Sequence, residues 1–163
     1  MKSRPTFIAD AMLGSLARKL RIFGFDTLYV DGGDDAELEA LSRRERRIIL
    51  TADRRLVGHA ELTGVRVILV DGRTDRARLR SVLRRAGVSP SMLGARAASR
   101  CAVCNGELAT IARREAAEGV PPKVFARHRL FFRCASCCRL YWRGKHWDRL
   151  RSLSNSLKTK DLT

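Results

Sequence analysis

The chain has 163 residues, 45% of them hydrophobic and 31% charged, and a formal net charge of +16. This excludes wholesale disorder and fits one ordinary domain with a small appendage. No run of about 18 apolar residues is present to cross a bilayer, and the apolar stretch in the opening MKSRPTFIADAML is too short for a secretory leader, so the expectation is a cytoplasmic protein with no membrane partner.

In chain order, Thr6-Phe7-Ile8-Ala9 reads as a buried strand, and AMLGSLARKLRIF (11–23) sets Met12, Leu13, Leu16, Leu20 and Phe23 on one helical face, stopped by Gly24. Thr27–Val30 is a second strand, 36–46 a second helix, Arg47–Leu50 a third strand, 65–70 a fourth, and 75–86 a helix closed by Gly87. Strands alternating with helices through short turns imply right-handed crossovers and a parallel sheet with helices on both faces. Around 88–100 the periodicity lapses into Ser, Pro, Gly and Ala, which divides the chain into a domain over 1–92, a second unit over 93–151 and a frayed tail over 152–163. In the second unit Gly119-Val-Pro-Pro122 breaks the chain, and Phe131–Arg133 and Leu140–Trp142 read as strands around a knuckle. The charge divides as +6 over residues 1–92 and +10 over 93–163; such an excess attracts polyanions by counterion release, making RNA, DNA or the ribosome natural partners.

That second unit carries the most specific signal. Cys101-Ala-Val-Cys104 and Cys134-Ala-Ser-Cys137 are two pairs separated by 29 residues. Thiolates at this spacing reach one Zn²⁺ at about 2.3 Å, and two pairs close a tetrahedral site of the zinc-ribbon kind. Five cysteines, tight spacing and no leader favour metal thiolates over disulfides.

In an open parallel sheet, chemistry gathers outside the carboxyl ends of the strands. Asp10 follows the first strand, Asp53 the third, and Asp34 and Asp35 open the helix after the second. Clustered carboxylates are suited to Mg²⁺ or Mn²⁺, which activates water for phosphodiester hydrolysis. Asp is equally a helix N-cap, and each of these stands at a helix start. The spacing Asp34-x-x-Glu37 fits a capping box, leaving Asp35 as the ligand, while Asp10 and Asp53 are able to do both through different oxygens. Thr51 puts a hydroxyl near the same strand end. Asp71 and Asp75 are candidates for a fourth carboxylate, with turn residues as the plainer reading of Asp31 and Asp71.

FIADAMLGSLARKLRIFGFDTLYV, DDAELEAL, RRIILTADRRLVG, RCAVCNGEL and FFRCASCCRLYWRGKHW together resemble the PIN-like RNases that carry a carboxy-terminal zinc ribbon, the Mut-seven C-terminal RNase branch, over about residues 6 to 150. The resemblance implies a PIN-type α/β/α sandwich, a divalent-metal-dependent endoribonuclease with Asp10, Asp35 and Asp53 in its acidic positions, and a structural zinc on Cys101, Cys104, Cys134 and Cys137. RNA is the implied substrate, with tRNA, rRNA and ribosome-associated RNA all open. The ribbon's second knuckle usually reads Cys-x-x-Cys-Gly, and Cys138 stands here in place of the glycine.

Tyr141-Trp142-Arg143-Gly144-Lys145-His146-Trp147 interleaves aromatics with cations, suited to stacking bases and holding phosphates; filling the ribbon's small core is an equal reading of Tyr141, Trp142 and Trp147. Arg54 and Arg55 beside Asp53, like Arg18, Lys19 and Arg21, either steer phosphate or cover a solvated helix face. Trp142, Arg143, Lys145 and Arg54 form the expected substrate-binding set. The rival function is a non-catalytic RNA- or ribosome-binding protein on the same fold. No acidic pair directly after the first strand and no lysine after a fifth strand argue against a response-regulator receiver, and no Gly-x-x-x-x-Gly-Lys-[Ser/Thr] loop marks a P-loop nucleotidase. Oligomeric state leaves no mark in the sequence.

Overall fold

Phe7, Ile8 and Ala9 have no exposed surface, and a strand is buried on both faces only inside a sheet covered on both sides. The computed structural model describes residues 4–88, 99–144 and Ser152. In it β1 (Phe7–Ala9) lies between β2 (Thr27–Tyr29) and β3 (Ile48–Thr51), and β3 pairs with β4 (Val67–Leu69). All pairings are parallel, in the order β2-β1-β3-β4. Alternate residues serve opposite layers. Phe7, Ala9, Ile48 and Leu50 pack with α1 (Gly14–Ile22) and α4 (Asp75–Arg85), whereas Ile8 and Ile49 pack with α2 (Asp35–Glu45) and α3 (Arg54–Leu62). The expected parallel sheet flanked by helices is therefore present.

One expected helix is divided. Residues 11–23 form a 3-10 turn, Ala11–Leu13, followed by α1. Because the turn winds at three residues rather than 3.6, Met12 leaves the apolar face on which the helical period placed it and is 75% exposed.

The second unit is an antiparallel sheet of β5 (Leu108–Ile111), β6 (Phe131–Cys134) and β7 (Leu140–Trp142), with α5 (Arg113–Ala116) and α6 (Pro122–Arg127) between β5 and β6. β5 and both helices were not expected from the sequence. Gly119-Val-Pro-Pro122, expected as a break, lies between α5 and α6, and Pro122 at the first helical position of α6 has no N–H to leave unpaired. Ala116, Val120 and Phe131 form the small core. The expected boundary near residue 92 and the tail over 152–163 fall outside the described residues, Ser152 excepted.

The two sheets are bonded through the first knuckle. Arg21, only 6% exposed, donates to the carbonyls of Thr27 (2.8 Å), Ala102 (3.0 Å) and Val103 (2.8 Å). Asn105 accepts the Thr27 N–H at 3.1 Å and donates to Asp26 at 2.8 Å. Asp26 also pairs with Arg47 at 2.6 Å and Arg100 at 3.5 Å. Thr27 begins β2 and Arg47 immediately precedes β3, so the ribbon joins the sheet at the amino ends of its strands. β2 is an edge strand, and the Asn105 side chain satisfies one of its outward N–H groups.

Candidate active site and metal centre

The strand order reverses between β1 and β3, the place where an open α/β sheet forms its ligand crevice. A cleft of about 170 Å³ opens there, lined by Asp10, Asp34, Asp35, Asp53 and Thr51 on an apolar floor that includes Leu38 and Leu56. Among the described residues, no lysine or arginine lines it. Three of the four carboxylates are N-caps. Asp10 Oδ1 accepts the Met12 N–H at 3.1 Å, Asp34 Oδ1 the Glu37 N–H at 2.7 Å, and Asp53 Oδ1 the Arg55 N–H at 2.7 Å. Each cap commits one oxygen to the helix and leaves the other. The carboxylate of Asp35, one residue inside α2, has no hydrogen bond or ion pair among the described residues. Asp34 is thus the cap that the Asp34-x-x-Glu37 spacing predicts. The Thr51 hydroxyl accepts the Asp53 N–H at 2.9 Å and fixes the turn that presents Asp53.

The proposed fourth carboxylates lie elsewhere. Asp71 is tied to Ser81 at 2.9 Å and Arg85 at 3.2 Å, and Asp75 pairs with Lys19 at 2.9 Å; neither lines the cleft. The Lys19 ammonium is therefore engaged on α4, and buried Arg21 neither steers phosphate nor covers a solvated face. Arg18 and Arg54 are exposed.

The sulfurs of Cys101, Cys104, Cys134 and Cys137 lie within 4.8 Å of one another, the one group of three or more potential ligand residues meeting that spacing among the described residues. Two of the sulfur pairs are 3.6 Å (Cys101 and Cys137) and 3.4 Å (Cys104 and Cys134) apart. Tetrahedral bonds of about 2.3 Å set sulfurs about 3.8 Å apart, so the cluster is close to the size of a four-thiolate zinc site. Backbone N–H groups of Cys104 and Cys137 point at the sulfurs of Cys101 and Cys134, at 3.4 and 3.5 Å, as a knuckle requires. Burial opposes ionisation of Cys101, but the N–H groups of Cys104 and Val103 and the Tyr141 hydroxyl outweigh it and bring the thiol down to about 6. At Cys104 the Gly106 N–H favours the thiolate, yet burial and the neighbouring sulfurs push it up to about 12. Four sulfurs so close need a cation for all of them to ionise, and an all-sulfur tetrahedral set points to zinc.

Each knuckle ends on a left-handed residue, Asn105 with φ 67° after Cys104 and Cys138 with φ 60° after Cys137. This conformation explains the usual glycine at the second position, and Cys138 lies outside the four-sulfur group. Tyr141 donates to, or accepts from, the Cys101 sulfur at 2.9 Å; burial, then the adjacent Cys101 charge, raises its phenol pKa and keeps it neutral. Trp142 packs against the ribbon core. The Arg143 guanidinium lies 6.0 Å from the centre of the Phe132 ring. Lys145, His146 and Trp147 are outside the described residues. Sequence reasoning missed Asn105, whose signal is an asparagine directly after a Cys-x-x-Cys, at a position requiring positive φ.

The family model of the Mut7-C RNAse domain matches residues 5–154. No curated protein and no solved structure matches the chain. No helix among the described residues is long and apolar enough to cross a membrane.

Proposed function

The chain belongs to the Mut7-C RNAse domain family, and from that premise we propose that it is a PIN-like, divalent-metal-dependent endoribonuclease, with its nuclease domain over 1–92 and a zinc ribbon over 93–151 that assists RNA binding. The supporting observation is the cleft at the β1/β3 reversal, where four aspartates and, among the described residues, no cationic side chain meet. A surface of that composition repels RNA unless metal ions neutralise it. Asp10, Asp35 and Asp53 are the carboxylates to hold Mg²⁺ or Mn²⁺. Asp10 and Asp53 keep one oxygen each beyond their caps, and Asp35 keeps both. Bound there, such an ion supplies Lewis-acid catalysis of phosphodiester hydrolysis. The caps hold Asp10 and Asp53 at fixed positions at the ends of adjacent strands, and the Thr51 hydroxyl holds the turn before Asp53. Arg54 is exposed on the first turn of α3, and its role in this reading is to meet phosphates outside the cleft. The zinc on the four cysteines is structural, because four thiolates leave no open position.

The test is incubation of the purified protein with mixed cellular RNA, with and without Mn²⁺ or Mg²⁺, alongside Asp53→Asn. Asparagine caps a helix as well as aspartate does, so this variant keeps α3 while losing the charge. Metal-dependent cutting by the wild type and none by the variant is the expected result. If the wild type leaves every RNA intact with both metals and Asp53→Asn binds RNA identically, the chain is the non-catalytic binder instead.

A further inference from the structure

The aromatic and cationic motif read in residues 141–147 is divided by the ribbon sheet. Side chains alternate across a strand, and the register pairs Phe131 with Trp142 and Phe132 with Tyr141. Phe131 and Trp142 therefore share one face, joined by Ile111 from β5, and that face is packed into the core with Ala116 and Val120. Phe132 and Tyr141 stand side by side on the other face, where Thr110, the β5 partner of Phe132, is exposed. Both rings are half-buried, and neither belongs to a hydrophobic cluster among the described residues. The Tyr141 hydroxyl is bonded to the Cys101 sulfur at 2.9 Å, which fixes its ring against the metal knuckle. The Arg143 guanidinium accompanies the Phe132 ring at 6.0 Å.

Resting on the ribonuclease reading, we infer that the face formed by Phe132 and Tyr141, and not Trp142, is the platform on which unpaired bases of the RNA substrate stack. A half-buried pair of aromatic rings side by side on a sheet takes the faces of bases, which a duplex hides and a single strand offers. Residues 99–144 carry nine Lys and Arg against three Glu, so the ribbon as a whole attracts the phosphates of a bound strand. Stacking tolerates any base, giving a strand preference without a sequence code. Because the ribbon joins the sheet at the amino ends of its strands while the cleft lies at their carboxyl ends, this platform is separate from the carboxylate site.

The experiment measures the affinity of the full-length Asp53→Asn chain for a single-stranded RNA of about 20 nucleotides and for the duplex of the same length, with Phe132→Ala and Phe132→Leu added in turn. Zinc content and melting temperature report folding, and the leucine variant keeps apolar bulk if the alanine variant loses its metal. Loss of one stacked base predicts about a tenfold or larger drop on the single strand, little change on the duplex, and so a collapse of the single-strand preference. Phe132→Trp should keep it. Unchanged single-strand binding by Phe132→Leu with zinc retained overturns the inference, as does an equal loss on single strand and duplex. A wild type that binds RNA through Phe132 yet cuts none overturns the nuclease reading alone. One that cuts RNA while Phe132→Leu binds normally overturns the platform alone.

Discussion

Replacing Asn105 tests whether the ribbon is a structural part of the nuclease fold. Thr27 is fully buried and Asn105 is 8% exposed. The Asn105 side-chain amide accepts the Thr27 N–H through its oxygen and donates to Asp26 through its nitrogen. In Asn105→Ala the stranded N–H costs about 1–3 kcal/mol, and the lost bond to an ionised carboxylate contributes about 1.5–3 kcal/mol. Alanine at φ 67° adds about 1 kcal/mol that asparagine largely avoids. Allowing for relaxation, the expected loss is about 4 kcal/mol, a large share of the roughly 5–15 kcal/mol that holds a domain. Asn105→Gly relieves the backbone and should recover about 1 kcal/mol of it. Asn105→Asp keeps the acceptor for Thr27 but faces Asp26 with a second carboxylate, so its deficit should shrink as pH falls below about 4. The assay is urea unfolding of the zinc-loaded chain, followed by far-ultraviolet circular dichroism, which reports mainly the helices of the parallel-sheet domain. Chelating the zinc should lower the same midpoint. A loss under about 0.5 kcal/mol in Asn105→Ala, measured against the scale above, refutes the view that the knuckle supports the sheet.

Asp35→Asn should abolish metal-dependent cleavage with little change in stability, whereas Asp34→Ala should cost about 1 kcal/mol and spare most activity; an inactive Asp34→Ala with an active Asp35→Asn reverses the assignment of cap and ligand. Cys138→Gly should raise stability by up to about 1 kcal/mol, because glycine adopts the left-handed conformation that Cys138 holds at φ 60°; a lower melting temperature with zinc retained counts against that reading. Burial raises the Asp26 pKa, but its bonds to Arg47 and Asn105 outweigh this and hold the carboxyl below its usual range. Its contribution is therefore fully present above the unfolded value of about 3.9 and lost as pH falls through the folded one. Below about pH 4, Asp26→Asn should lose stability less steeply than the wild type in acid titrations followed by circular dichroism.

Local pattern determined much of this protein. Short apolar runs alternating with 3.6-residue periodicity specify a parallel sheet between helices, because each element must bury its own apolar face. The two Cys-x-x-Cys pairs specify a metal knuckle, because both thiols of a pair lie within reach of one ion whatever the rest of the chain does. Asp34 as cap was equally local, set by an N–H three residues away. What the sequence left open was decided by residues that meet from far apart. Trp142 turned into the ribbon core and Tyr141 out of it once β7 took its register on β6. Asp71 and Asp75 were drawn to Ser81, Arg85 and Lys19 instead of the cleft. Arg21 looked like one more cation on an exposed helix, and became a buried strut because the knuckle, 81 residues later in the chain, brought carbonyls to its guanidinium. A burial period records which face of an element leaves water; which partner awaits it there is settled only by tertiary packing.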